Sequence, residues 1–194
     1  MMVLGLTGGM GSGKTTVAAI FKKLGIPVFI ADEAGQHLLN TSDNVKKAVV
    51  KLFGPEVYQH GTLNRKAVAA RVFANKKLLE ELNRIVHPAV ASSFENWKKQ
   101  QRSHYVVYEA AFHFEKGAYR NCDLNLLIRA PLDKKIQRLQ KRDQSTLEEI
   151  QARMNHQWTD QEKVKLADFV IENDDLEHTQ KAVERLHQIL LKSA

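Results

Sequence analysis

The sequence predicts an α/β fold: a parallel sheet flanked by helices, with a helical insertion. Three observations lead there. A glycine-rich loop, Gly8-Gly9-Met10-Gly11-Ser12-Gly13-Lys14-Thr15, lies between a short apolar run and an amphipathic helical pattern. Four further apolar runs of strand length recur at Pro27–Ile30, Tyr105–Tyr108, Leu124–Ile128 and Ala167–Ile171. Between the second and third strands, residues 43 to 98 carry only helical periodicity. Strands that alternate with helices indicate a parallel sheet covered on both faces.

The first strand is Val3-Leu4-Gly5-Leu6, and the helix behind the loop covers Thr16 to Leu24, with Val17, Ile20, Phe21 and Leu24 on one face. The loop fits G-x-x-x-x-G-K-[ST] in the strand–loop–helix setting that this phosphate-binding motif requires. Its glycines let successive N–H groups turn inward as an anion nest, and the helix N-terminus adds donors and a positive dipole end. Lys14 supplies a point charge for β- and γ-phosphates, and the Thr15 hydroxyl suits Mg²⁺. The residues therefore predict binding of a nucleoside triphosphate.

Gly25 stands where the first helix should end. Asp32 closes the second strand in an N-cap position for a helix reaching Leu38-Leu39. Open α/β sheets bind ligands at the carboxyl ends of their strands, so Asp32 is a candidate general base as well as a cap. In the helical stretch, Val45, Val49, Leu52 and Phe53 form one face and Val68, Val72 and Phe73 another. Gly54-Pro55 and His60-Gly61 punctuate it. A longer pattern from Leu78 to Trp97 contains Pro88, which is expected to kink or divide that helix.

The strand at Tyr105 ends in Glu109, and Pro131 opens a helix with Lys134, Lys135, Arg138, Lys141 and Arg142. Residues 145 to 167 read as helical and polar, with Arg153, Gln157 and Lys163. A final helix from Leu176 to Leu191 places Val183, Leu186, Ile189 and Leu190 toward the core. One domain of 194 residues follows. Its core covers about 1–40, 104–135 and 167–194, with a helical substrate subdomain at 41–103 and a lid at 136–166.

Composition narrows the setting. Apolar content of 43% and charged content of 26% suit a soluble globular protein, and no run has the length of a membrane span. Cys122 is the only cysteine, so no internal disulfide can form, which fits a cytoplasmic location. The net charge of +7 is spread along the chain and suits polyphosphate substrates as well as nucleic acid. His37, His104, His156 and Cys122 lack zinc-ligand spacing.

Among phosphate-loop proteins, a switch GTPase would carry N-K-x-D, which is absent, and a motor ATPase would end an apolar strand in a metal-holding aspartate. The arginine-bearing stretch Arg138–Arg153 instead resembles the lid of small-molecule kinases. Taken in order, the motifs resemble those of the dephospho-coenzyme A kinase family across nearly the whole chain. They are Leu6–Thr15; Leu24-Gly25-Ile26-Pro27-Val28 with Ala31-Asp32; Gly61–Lys66 with Val72-Phe73; His87-Pro88; Phe114-Glu115; Arg138, Arg142-Asp143, Arg153 and Gln157; and Ala167-Asp168 with Ile171-Glu172-Asn173. Ile30 replaces the first residue of the family's Asp-Ala-Asp, and Ala111-Phe112-His113 replaces its Pro-Leu-Leu.

The resemblance implies a P-loop NTPase-like sheet of the nucleoside-monophosphate-kinase type, with an acceptor-binding helical subdomain and a helical lid. It implies ATP with Mg²⁺, and transfer of the γ-phosphoryl to the ribose 3′-hydroxyl of dephospho-coenzyme A. Asp32, Lys14, Arg138 and Arg142 are the implied catalytic groups. Gly9, Gly11, Ser12, Gly13, Lys14, Thr15, Thr16, Arg142 and Asn173 would hold ATP, with Thr15 on the metal. Thr7, Asp32, Arg65, His87, Glu115 and Arg153 would meet the acceptor. No nucleic acid or membrane partner is implied, and the chain is expected as a monomer or weak homo-oligomer. The rival readings are a nucleotide or sugar kinase with a different acceptor domain, and a nucleic-acid-dependent ATPase.

Overall fold

The computed structural model describes residues 1–193, except for the side chains of Phe73 and Ala74. The part of the Val68–Phe73 face that falls on Phe73 therefore lies outside the described residues. The chain begins with β1 (Met2–Gly8), α1 (Lys14–Lys23) and β2 (Val28–Ile30). It continues through α2 (Ala31–Thr41), α3 (Asp43–Phe53), β3 (Tyr58–Gln59), β4 (Thr62–Leu63), α4 (Arg65–Ala74) and α5 (Lys76–Lys99). It then forms β5 (Tyr105–Glu109), β6 (Leu124–Arg129), α6 (Leu132–Asp143), α7 (Leu147–Met154), α8 (Asp160–Val164), β7 (Phe169–Glu172) and α9 (Leu176–Ser193).

Two compact units divide these elements: Met1–Ile30 with Gln101–Ala194, and Ala31–Gln100. The first contains a five-stranded sheet in the order β2-β5-β1-β6-β7, parallel throughout. Strand β1 is buried from Val3 to Gly8 because both faces of a parallel sheet are covered, so its residues read as a continuous apolar run. Leu4 and Leu6 of β1 pack with Tyr105, Val107, Leu126 and Ile128 against Val17 and Phe21 of α1 and Val183, Leu186 and Leu190 of α9. Side chains of this size each contribute about 1.5–3 kcal/mol when fully buried. The chain leaves β1 toward β2 on one side, and β6 lies on the other. That reversal places a crevice at the carboxyl end of β1, where the glycine loop begins.

Three expectations within this unit change. The 145–167 stretch is two short helices rather than one. Thr146 and Thr159 each start a helix with a capping box, closed by Glu149 and Glu162, which divides the segment. The last strand starts two residues later than expected and ends one later, at Phe169–Glu172. Ile189 is 51% exposed rather than in the core, because the buried stripe of α9 runs Val183, Leu186, His187, Leu190.

The second unit is helical apart from a hairpin that its periodicity conceals. Strands β3 and β4 pair antiparallel across His60-Gly61, whose φ values of 50° and 80° are the two left-handed positions of a tight hairpin turn. Two-residue strands are too short for alternation to register. Val45, Val49, Phe53, Val57, Leu63 and Val68 form the core of this unit. Helix α2, expected with the sheet core, belongs here, and a Cβ at Gly35 would meet Val86 at 3.4 Å and Val90 at 3.5 Å. Pro88 does not divide α5, which runs unbroken for 24 residues. Ile85 and Ala89 pack on the same core on either side of the proline and hold the helix through the lost hydrogen bond.

Candidate functional site

The loop between β1 and α1 is closed by Ser12 N–H donating to Gly9 O at 3.0 Å, and Val17 N–H donates to Gly13 O at 3.1 Å. Gly13 caps α1 with φ 94° and Gly11 has φ 78°, conformations that a side chain would strain. The space is also taken. A Cβ on Gly13 would collide with the Asn173 amide, and one on Gly11 would come within 2.7 Å of Lys135 O. Lys14 Nζ donates to Gly8 O at 2.9 Å, which folds the ammonium back across the loop. Thr15 and Thr16 are exposed in the first turn of α1, and Ser12 is fully buried with no partner for its hydroxyl among the described residues. A concave row of donors, a helix N-terminus and one lysine together form an anion site.

The loop's carbonyls face a second group of side chains. Arg138 of α6 donates to Gly11 O at 3.3 Å, Ser12 O at 3.5 Å and Asn173 O at 2.8 Å. Asn173 Nδ2 donates to Ser12 O at 2.8 Å. The donors of Arg138 thus meet the loop from its carbonyl side. Beyond the loop, Gln157 Oε1 accepts from Met10 N–H at 2.8 Å, and the buried Lys135–Asp160 ion pair lies against Gly9.

Arg142 and Arg153 share one carboxylate. Asp143 accepts from Arg142 Nε at 2.6 Å and Arg153 at 3.0 Å, and Arg153 also donates to Ser145 Oγ at 3.0 Å. The Arg142 guanidinium, helped by Arg153, brings the Asp143 pKa down to about 2. Glu115 is enclosed rather than open to a ligand: Lys163, fully buried, stands 3.0 Å from its Oε1, which also accepts from Trp158 N–H at 3.1 Å. Thr7 is fully buried within β1, its hydroxyl without a partner among the described residues.

In the other unit, Asp32 is the second residue of α2, exposed in its first turn, and so stands inside the helix rather than at the cap position. Arg65 opens α4 behind the Asn64 cap and donates to Gln36 Oε1 at 3.1 Å. His87 is exposed on α5. Among the described residues there is no group of three or more His, Cys, Asp or Glu able to hold a metal. Mg²⁺ needs only one or two protein oxygens when a triphosphate and water supply the rest, and the exposed Thr15 hydroxyl fits that requirement.

The sequence reading missed Lys135, Asp160 and Thr179 as neighbours of the loop or its supports. Charged residues on a polar helical face carry no sign that they turn inward. The capping-box patterns Thr146–Glu149 and Thr159–Glu162 were the available signal for the break that places Gln157 and Asp160.

A parallel sheet ordered β2-β5-β1-β6-β7, carrying this phosphate loop beside an arginine-bearing helical segment, defines a phosphate-loop kinase of the small-molecule class. A family model described as dephospho-CoA kinase matches residues 2–178. The chain belongs to the dephospho-CoA kinase family. Relatives of that name are 39% identical over 90% of this chain and 89% of the Salinibacter ruber protein, and 34% identical over 88% and 84% for Bacteroides fragilis. The crystal structure of TT1252 from Thermus thermophilus is 32% identical and superposes with a TM-score of 0.86, covering 99% of this chain and 97% of that one. Shikimate kinase from Acinetobacter baumannii, at 15% identity and a TM-score of 0.52 over 100% and 94%, shares the fold.

Proposed function

We propose that the chain transfers the γ-phosphoryl of ATP to the ribose 3′-hydroxyl of dephospho-coenzyme A, giving coenzyme A and ADP, the last step of coenzyme A synthesis. The observation that carries this reading is the family match from residue 2 to 178, with the phosphate loop intact at its start. Phosphoryl transfer depends on positioning and charge neutralisation, and the loop's N–H groups and Lys14 provide both. Thr15 would hold Mg²⁺, which when bound neutralises β- and γ-phosphate oxygens. Asp32 is assigned to take the 3′-hydroxyl proton. Its exposure at the first turn of α2 leaves the carboxylate accessible.

Arg142 is assigned to ATP and Arg153 to the acceptor, each reached by exchanging Asp143 for a phosphate oxygen. Arg65 and His87 are assigned to the acceptor. Gly9, Gly11, Gly13 and Thr16 line the triphosphate. Arg138 and Asn173 serve it through the loop. Glu115 and Thr7 are assigned to the acceptor side through packing, because both are enclosed. Among the described residues no helix is long and apolar enough to cross a membrane. The chain works in the cytoplasm on small molecules alone.

The test is ADP release coupled to NADH oxidation, with Mg-ATP and dephospho-coenzyme A. ADP formation that depends on the acceptor is expected, with coenzyme A as the other product. Absence of turnover with dephospho-coenzyme A, alongside turnover of a nucleotide or sugar acceptor, would overturn the assignment.

A further inference from the structure

A backbone N–H can only donate, so the contact of Met10 N–H with Gln157 at 2.8 Å fixes the side-chain amide in one orientation, Oε1 toward the loop. The other arm of the amide is then Nε2 with its two protons. Amide oxygen and nitrogen are ~2.2 Å apart by covalent geometry, which keeps Nε2 within about 5 Å of the Met10 nitrogen. Nε2 is not enclosed, and it has no hydrogen-bond partner among the described residues. An amide whose oxygen accepts a hydrogen bond is polarised by it, which makes these protons better donors.

The backbone that carries Gln157 is held without help from its side chain. Gln157 N–H donates to Met154 O at 3.0 Å, Trp158 N–H donates to Glu115 Oε1 at 3.1 Å, and Asp160 pairs with the buried Lys135. The amide thus stands at the loop on a fixed support. Its place along the loop indicates what it faces. Lys14, the cation for β- and γ-phosphates, brings its ammonium to Gly8 O at 2.9 Å, which marks the strand end of the loop as the terminal-phosphate end. Met10 lies toward that end. Its N–H is taken by Gln157, and Ser12 N–H is taken by Gly9 O at 3.0 Å. Both donors are withheld from a ligand, and the Gln157 NH₂ stands beside the first of them.

We propose that Gln157 is a catalytic residue of the phosphoryl transfer: its Nε2 donates to an oxygen of the terminal phosphate of ATP while its Oε1 stays on Met10. The amide extends the Met10 donor outward and brings the turn between α7 and α8 into contact with the group being transferred. Charge held on that group's oxygens in the transition state makes the contact act on kcat as well as on binding. The proposal rests on the reading of the loop as an ATP site. Its deciding measurements are binding experiments that need no acceptor.

Two full-length variants separate the arms of the amide. Gln157→Met keeps the length and removes both arms; Gln157→Glu keeps an oxygen for Met10 and removes the donor. Calorimetric affinity would be measured for Mg-ADP and for the magnesium complex of the non-hydrolysable ATP analogue with an imido β–γ bridge. The kcat and the KM for dephospho-coenzyme A would accompany them. A hydrogen bond to a charged group corresponds to about ten- to hundredfold in affinity. Gln157→Met should weaken the analogue by about tenfold and leave Mg-ADP, which lacks the terminal phosphate, within about twofold. Its kcat should fall as well, with the acceptor KM within about twofold. Gln157→Glu should weaken the analogue further, because it sets a carboxylate against a phosphate while still accepting from Met10.

Unchanged affinity for the analogue in Gln157→Met overturns the proposal. So do equal losses for ADP and the analogue, and recovery in Gln157→Glu would then assign Gln157 to the shape of the loop alone. If Gln157→Met loses its near-ultraviolet dichroism, Gln157→Glu decides: a loss larger for the analogue than for ADP supports the proposal, and parent-like affinity sinks it. A parent protein that binds the analogue but does not phosphorylate dephospho-coenzyme A would overturn the proposed reaction and leave the affinity comparison to decide the role of Gln157. A parent that binds neither nucleotide overturns both.

Discussion

Gln157 Oε1 accepts the backbone N–H of Met10 at 2.8 Å, so the turn between α7 and α8 closes onto the phosphate loop across 147 residues of sequence. The Lys135–Asp160 pair against Gly9 is a second contact between the same two segments. Together they tie the lid stretch to the loop that it is assigned to cover.

Gln157→Ala removes the acceptor and returns the Met10 amide to water. A single hydrogen bond contributes about 1 kcal/mol net, or roughly fivefold in an opening equilibrium. Hydrogen exchange at Met10 should therefore quicken by about that factor in the ligand-free protein, with residues 155–160 also less protected. Unaltered exchange at Met10 would mean that the contact does not persist in solution.

Replacing Asp32 by Asn removes the assigned base while keeping its shape. General-base removal costs about 10²- to 10⁴-fold in kcat. Mg-ATP affinity by calorimetry should remain within about twofold, because Asp32 has no assigned role toward the triphosphate. Turnover that survives the change would discard Asp32 as base.

His113 gives the protein a pH-dependent stability near neutrality. Its ring is fully buried between Tyr108 and Phe114, and Nε2 is 2.7 Å from Asn125 Oδ1. Burial pushes its pKa below the ordinary value of 6.5, against the opposing pull of Asn125 and Glu115. The unfolded chain therefore binds a proton more readily than the native one. The stability contribution of the neutral ring is complete above pH 6.5 and is lost as pH falls from there through the lowered native pKa. Thermal unfolding from pH 8 to 5 should show Tm falling below about pH 6.5, and His113→Leu should flatten that slope. An unchanged slope would assign it to other groups.

How much of this was legible in the chain depends on whether a local pattern encodes the feature. The loop and its flanking strand and helix were readable because the glycines, Lys14 and Thr15 are required within eight consecutive residues. The sheet strands were readable because burial on both faces leaves continuous apolar runs. The β3–β4 hairpin was not, since two paired residues carry no period, and only the left-handed His60-Gly61 turn marked it. Arg138 was singled out, but its contacts with the loop carbonyls were not. Sequence places it one turn from Arg142 on α6, but its partners Gly11, Ser12 and Asn173 come from two distant segments. Side-chain direction of that kind depends on tertiary packing alone.

Lys163 and Glu115 provide the sharpest energetic prediction. The ammonium of Lys163 is fully buried, its partner carboxylate is 8% exposed, and the two lie 3.0 Å apart, joining α8 to the loop after β5. Two charges withdrawn from water are held by their mutual attraction, so removing one leaves the other without compensation. Lys163→Met should cost about 3–5 kcal/mol of unfolding free energy, and Glu115→Leu a similar amount. The double variant replaces the pair with apolar groups of comparable size and leaves no charge stranded. It should recover most of the loss, so the two single effects will be far from additive. Urea unfolding of the four proteins closes this cycle. A coupling energy near zero would show that the pair is solvated in solution. Full stability in the double variant with reduced kcat would instead separate its role in anchoring the lid from its contribution to folding.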